Sequence, residues 1–467
     1  MDTLLPTQII ILGGGGDLSK HKLLPALFDL FVKDTLPSHF NIIGFARTPR
    51  TNEEYRSFVF SAILSVHTTA PTDKLEKFCS HVTYVAGDFD IAQSYLDLKQ
   101  NIDSFETRAE EATNKLFYLA VPPRYYKEIF QNLSDTNAVC KCSPENGWSR
   151  ILVEKPFGKD LETAIQLEKQ LSSLFTEDQI FRIDHYLAKE AVQNILSFRF
   201  ANTLFKDVWN KDSIRKVHIT MHEEVDIGTR GSFYDGIGAI RDVGQNHLLQ
   251  LLALVAMEEP KSFDAEEIRT KRAYVLKHIA PITDYEKNVL RAQYEGYSAT
   301  QGVQEDSKTE TYFILKTFVT TPRWENVPFI IASGKALKEK KVVIEVFFKD
   351  IATGLFDTES CNSTENKMTL FIEPTQLMQI RLNAKAPGLG YQLHQRELSF
   401  ECISDDEVKN AYEKVLLDCI AGDQTLFTST QEVFAAWDFI TPILKNLNTL
   451  PLHTYPKGSD GPKNDMA

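Results

Sequence analysis

Thr7-Gln8-Ile9-Ile10-Ile11-Leu12-Gly13-Gly14-Gly15-Gly16-Asp17-Leu18-Ser19-Lys20 is the stretch from which the fold follows. Its first six residues are an isoleucine-rich apolar run of the kind a buried parallel strand requires. Four glycines stop the strand. After them Leu23, Leu24, Leu27 and Leu30 keep helical spacing. Strand, glycine turn, helix is the order that lets backbone N–H groups approach a pyrophosphate. Leu18 stands where a complete Gly-x-Gly-x-x-Gly fingerprint has its third glycine, and no Gly-Lys-Ser/Thr follows as a Walker loop would demand. A plain flexible turn before a helix also fits these residues.

Four further runs extend the pattern. Asn41 to Ala46 reads as a strand ending in Arg47-Thr48-Pro49-Arg50, where a NAD site has an acidic residue for the ribose hydroxyl; a guanidinium suits a 2′-phosphate instead. Val82 to Ala86 and Lys115 to Val121 are buried strands running into loops, with Tyr126 just past the second. Arg150 to Val153 leads into Glu154-Lys155-Pro156-Phe157-Gly158, and the proline keeps Lys155 out of helical geometry. Open α/β sheets place ligands at this edge, so Lys155 is a candidate for contact with cofactor and substrate, or an ordinary loop lysine.

Arg182-Ile183-Asp184-His185-Tyr186-Leu187-Ala188-Lys189 gathers an acid, an imidazole, a phenol and an ammonium. A helix beginning at Asp184 puts His185 and Lys189 one turn apart, with Leu187, Ala191, Ile195 and Phe198 as its apolar stripe. Such a helix start attracts a phosphate; an ordinary capped amphipathic helix has the same pattern. Beyond it the chain changes character. Ile214–Met221, Tyr312–Phe318, Val327–Ala332, Val342–Phe348, Met368–Ile372 and Leu377–Leu382 read as strands with few helices between, which predicts a large antiparallel sheet. His247, preceding the helical run Leu248 to Met257, has the intrinsic pKa of a general base that Asp184 or Asp242 can orient, and equally the character of a polar helix cap. Gly334 to Lys341 is a basic loop, and the chain beyond Pro451 has the composition of a frayed terminus.

Length argues for two domains, and a net charge of −13 from 51 basic and 64 acidic residues argues against a nucleic-acid partner. The cysteines, at 79, 140, 142, 361, 402 and 419, form no Cys-x-x-Cys zinc pattern, predict no metal, and read as reduced thiols of a cytoplasmic protein. No apolar run approaches a membrane span and no signal peptide is legible, so Asn132 and Asn362 are incidental glycosylation matches.

Taken in order, Gly13-x-x-Gly16-Asp17-Leu18 with Lys22, Glu154-Lys155-Pro156-Phe157-Gly158, Arg182 to Glu190, Arg241-Asp242 with Asn246-His247, and Gly334-Lys335-Ala336-Leu337 closely resemble the glucose-6-phosphate dehydrogenase family, from Thr7 to about Leu447. The resemblance implies an α/β Rossmann domain over 1–184 and, over 185–467, an α+β domain with a large, mainly antiparallel sheet through which dimers or tetramers associate. It implies oxidation of β-D-glucose 6-phosphate at C1 to 6-phosphoglucono-1,5-lactone, with NADP as cofactor. By the same resemblance His247 is the general base and Asp184 its partner. His185, Tyr186, Lys189 and Lys340 hold the phosphate, while Lys155, Lys335, Glu223 and Asp242 hold the sugar. Gly13, Gly14, Gly15, Gly16, Asp17, Leu18, Ser19, Lys20, Lys22, Arg47, Tyr126 and Lys155 hold the dinucleotide.

Gly15, Ala188 and Glu373 depart from the family's usual Ser or Thr, Gly and Gln. Phe371 and Glu345 occupy places that bind a second, structural NADP in vertebrate members, so no such site is expected. A sugar dehydrogenase of the glucose-fructose oxidoreductase type shares the Rossmann domain, the Glu-Lys-Pro loop and a catalytic histidine, but has no reason for the Arg182 stretch. A catalytically silent NADP-binding subunit has no reason to keep Asp184, His247 and Lys189 together.

Overall fold

The computed structural model describes residues 5–139, 147–350, 365–390, 392–401 and 411–463. Cys140, Cys142, Cys361, Cys402 and Asn362 lie outside these, while Cys79 and Cys419 are buried free thiols. Two compact units divide the chain: Met1–Gly158 with Glu162–Ala188 and Lys409–Thr430, and Lys159–Leu161 with Lys189–Val408 and Gln431–Ala467.

In the first unit, β1 (Thr7–Leu12), β2 (Phe40–Ala46), β3 (Val82–Ala86), β4 (Asn114–Leu119), β5 (Ser149–Val153) and β6 (Ile180–Ile183) lie in the spatial order β3-β2-β1-β4-β5-β6, all parallel. Every residue of β1, β2 and β4 is buried, as central strands covered on both faces must be. Ile9, Ile11, Leu24, Leu27, Tyr55, Leu116 and Leu152 belong to one core, in which a buried isoleucine contributes roughly 2–3 kcal/mol. This order reverses direction between β1 and β4, the place where open α/β sheets bind ligands. A short strand, Phe427–Thr428, joins antiparallel beside β6. Arg182 locks it there. Its guanidinium is 1% exposed and is held by Glu168, Glu177 and the Thr430 hydroxyl, so a buried cation is fully paired.

The second unit holds β7 (Ile214–His222), β8 (Val289–Tyr294), β9 (Tyr312–Phe318), β10 (Pro328–Gly334), β11 (Lys341–Phe348), β12 (Lys367–Glu373), β13 (Leu377–Lys385) and β14 (Leu393–Glu401). Phe427–Thr428 is β15 in chain order, and Leu452–Tyr455 is β16. Among the described residues the second sheet runs β14-β13-β12-β11-β7-β10-β9-β8-β16, antiparallel except at β7–β10 and β8–β16.

Two expectations need correction. The segment past Pro451 is not frayed through its described residues. β16 pairs with β8, and Tyr455, 1% exposed, donates its hydroxyl hydrogen to the Lys335 carbonyl at 2.7 Å. Burying an aromatic ring with its hydroxyl satisfied outweighs the polar composition around it. Nor does a helix begin at Asp184. Its Oδ1 accepts from the Tyr186 N–H at 3.0 Å and its carbonyl accepts from Leu187, closing an Asx turn; the helix is Glu190–Phe200. Leu187 therefore lies outside the stripe, which runs through Ala191 and Ile195. No helix among the described residues is long and apolar enough to cross a membrane.

Candidate active site

Each unit carries part of the predicted site. In the first, Gly13 and Gly14 donate their N–H groups to the Phe45 carbonyl at 2.8 and 3.2 Å, which folds the turn back onto the end of β2. Gly13 has φ +94°, and a Cβ there would collide with the Ala120 carbonyl, so only glycine fits. Ser19 is fully buried and donates to the Gly13 carbonyl at 2.9 Å. It latches the turn from behind. Gly15 and Leu18 are partly exposed, Gly16 and Asp17 exposed, and Lys20 half-buried, while Lys22 is exposed beyond them. A backbone stripped of side chains at the start of a helix fits the pyrophosphate of a dinucleotide, on the chemistry of its donors and its positive dipole end.

Arg47 is exposed just after β2, its guanidinium 5.9 Å from the Tyr125 ring centroid. Tyr126 is buried, and its hydroxyl donates to the Glu154 carbonyl at 3.2 Å. Tyr118 donates to the Glu154 carboxylate at 2.6 Å, and burial raises that carboxyl above its ordinary range. Glu154 was not singled out by its sequence context, yet it braces the loop on which Lys155 stands half-buried before a cis proline. Asp184 is 3% exposed, and beside it His185 and Tyr186 are half-buried with ring centroids 5.0 Å apart.

In the second unit His247 is 1% exposed and stands inside a continuous helical stretch, Ile240–Leu248 followed by Leu249–Ala256. That corrects its reading as a residue at a helix start. The first part of the stretch is a wide, π-type turn, and Asn246 within it bonds back to the Asp242 carbonyl at 3.0 Å. Such wide turns frequently mark functional positions. Lys335, in a run that reads as a solvated loop, is 5% exposed; its ammonium pairs with Glu223 and, at 3.2 Å, with Asp242. Lys189 and Lys340 converge on one carboxylate, Glu373, with the Lys340 contact at 3.0 Å. Burial works to raise the pKa of Glu373, but the two ammonium groups more than offset it and hold the group below the usual carboxylate range.

A Rossmann unit with a dinucleotide turn, joined to a unit carrying a buried histidine and lysine–carboxylate clusters, defines a nicotinamide-dependent oxidoreductase. Comparison with known proteins narrows this class. A family model described as the NAD binding domain of glucose-6-phosphate dehydrogenase matches residues 10–194, and one described as its C-terminal domain matches 196–467. The chain belongs to the glucose-6-phosphate dehydrogenase family. Glucose-6-phosphate 1-dehydrogenase of Chlamydia pneumoniae is 37% identical over 99% of this chain and 94% of its own. A cytoplasmic form from Arabidopsis thaliana is 41% identical over 97% and 89%. One solved structure, glucose-6-phosphate dehydrogenase in complex with its substrate glucose-6-phosphate, is similar with a TM-score of 0.90 at 37% identity over 99% of this chain and 97% of that one. The enzyme of Mycobacterium avium gives 0.84 at 33% identity over 98% and 96%.

Proposed function

We propose that the chain oxidises β-D-glucose 6-phosphate at C1 to 6-phosphoglucono-1,5-lactone with NADP as hydride acceptor. The observation that carries the reading is similarity over 99% of the chain to a solved relative described with glucose-6-phosphate as its substrate. Lys189 and Lys340 hold the 6-phosphate together with His185 and Tyr186, since two ammonium groups on one point suit a dianion. Lys335, Glu223, Asp242 and Lys155 take the sugar hydroxyls.

His247 removes the proton from the C1 hydroxyl as the C1–H bond breaks and the C1–O bond gains its second component. Asp184 pairs with the imidazolium that results. The nicotinamide supplies the acceptor for the departing hydride. Gly13 to Lys20, Lys22, Arg47, Tyr126 and Lys155 hold the dinucleotide, with Arg47 directed to the 2′-phosphate. The enzyme acts as a homodimer or homotetramer formed through the large sheet, in the cytoplasm.

The test follows nicotinamide reduction by absorbance, comparing glucose 6-phosphate with free glucose and NADP with NAD. Reduction with the phosphorylated sugar and NADP is expected; turnover of free glucose at equal efficiency removes the substrate assignment. His247→Asn is expected to lower kcat roughly 10²- to 10⁴-fold, the usual worth of a general base. An unchanged kcat removes His247 from that role.

A further inference from the structure

We infer that Arg50 is a second residue for the 2′-phosphate of the dinucleotide, placed beside Gly15 before any ligand arrives. The inference rests on the reading of NADP as cofactor. Arg50 follows β2 by four residues, in a segment pinned at both ends. On one side the Tyr84 hydroxyl bonds the carbonyls of Ala46, at 2.9 Å, and Thr48, at 2.5 Å. On the other, Thr51 and Glu54 form a reciprocal capping box that starts the helix Asn52–Leu64. The guanidinium then lies over the Phe58 ring, 4.4 Å from its centroid, which occupies one of its faces and leaves its edge of N–H donors for an anion.

That edge is aimed at the glycine turn. A Cβ built on Gly15 would have Arg50 Nη1 at 3.5 Å and the Ala46 methyl at 3.8 Å as its neighbours, so the guanidinium lies directly beside the turn. Nη1 is shut off from solvent and makes no hydrogen bond, and among the described residues Arg50 has no ion pair. Leaving a guanidinium nitrogen unsatisfied costs free energy, and an anion accepting from this side chain returns it. In a chain of net charge −13, an uncompensated cation here is a local device for an anion. Position decides which anion. The pyrophosphate belongs at the start of the helix after the turn, whereas the end of the second strand is where this fold holds the ribose 2′ group. Arg50 stands on the second side, with Arg47. The exposed Arg47 is free to close over the ligand, and Arg50 is already fixed by Phe58.

The experiment titrates 2′,5′-ADP and ADP into the full chain, wild type, Arg50→Gln and Arg47→Gln, by calorimetry. Arg50→Gln is expected to weaken 2′,5′-ADP about tenfold or more, the worth of a charge-assisted hydrogen bond, and ADP less than about twofold. Arg50→Lys keeps the charge without the fork and is expected to fall between. If Arg50→Gln weakens both ligands equally, or neither, while wild type still prefers 2′,5′-ADP, Arg50 has only a structural place on Phe58 and the inference is overturned. A wild type that binds both ligands alike overturns the NADP reading itself.

Discussion

At the scale of single residues, the two lysines on Glu373 set up a contest. Each ammonium is already paired with the same carboxylate, so on the phosphate role proposed for Lys189 and Lys340 the ligand must either displace Glu373 or share its cations with it. Like charges a few ångströms apart repel even near a surface. Lys189→Ala is therefore expected to raise KM for glucose 6-phosphate roughly 10- to 100-fold, with KM for NADP nearly unchanged. Equal weakening of both would contradict the phosphate role. Glu373→Gln is expected to act in the opposite direction, lowering KM for the sugar phosphate several-fold, about what loss of one adjacent like charge gives. A rise in KM on that substitution shows instead that the carboxylate holds the lysines in place. None of this pairing was visible in the sequence. Lys189 and Glu373 are 184 positions apart, and a lone lysine or glutamate carries no sign of its partner.

Among elements, the stretch that bears Asp242 and His247 starts over a buried acid. Glu310 is 3% exposed, accepts from the Ile240 N–H at 3.1 Å, and lies where a Cβ on Gly238, at φ +76°, would collide with it. Burial pushes its pKa from 4.5 to about 7, against the lowering pull of that N–H and of Arg241 and Arg291. The folded state thus holds a proton the unfolded state releases, and the contribution of Glu310 to stability is fully present below pH 4.5 and is lost as pH rises toward 7. Glu310→Gln keeps the acceptor for Ile240 without the charge. Relative to wild type it is expected to gain stability as pH rises from about 5 to 8, by on the order of 3 kcal/mol at the upper end. Thermal unfolding at both pH values checks this; a difference that does not change with pH assigns the titration to another group. The legible elements were those with a burial signal. β1, β2 and β4 are buried throughout and carry continuous apolar runs, and β7 and β11 are apolar at most inward positions. β14, Leu393–Glu401, is exposed along most of its length and holds only three apolar residues, Leu393, Leu398 and Phe400, among polar and charged ones, so nothing in its composition distinguishes it from a loop. β16 escaped notice because what makes it a strand is one buried tyrosine and a neighbour far away in sequence.

On the scale of the molecule, the glycine turn dictated a Rossmann unit correctly, because strand, turn and helix are all local. The return of 411–430 to that unit was not legible: its anchor is Arg182, whose partners Glu168, Glu177 and Thr430 are brought together only by folding. What the second sheet does with its outer strands follows from β13 and β14. Their register sets Phe400 opposite Met378, Leu398 opposite Ile380 and Arg396 opposite Leu382, so these side chains share a face. On it Leu382, Leu398 and Phe400 are 41%, 61% and 56% exposed, an apolar band at the edge of the second sheet as it runs through the described residues. Monomers rarely leave such a band uncovered, and a long bare edge invites pairing with another chain. A second copy covering this face is the association proposed above. Replacing Leu398 and Phe400 together by Glu is expected to halve the mass of a dimer measured by light scattering after size exclusion. Both side chains are more than half exposed, so the fold is expected to lose less than about 1 kcal/mol. If the double variant keeps the parent mass, the subunits meet through another surface; if the parent is itself monomeric, the band serves something other than self-association.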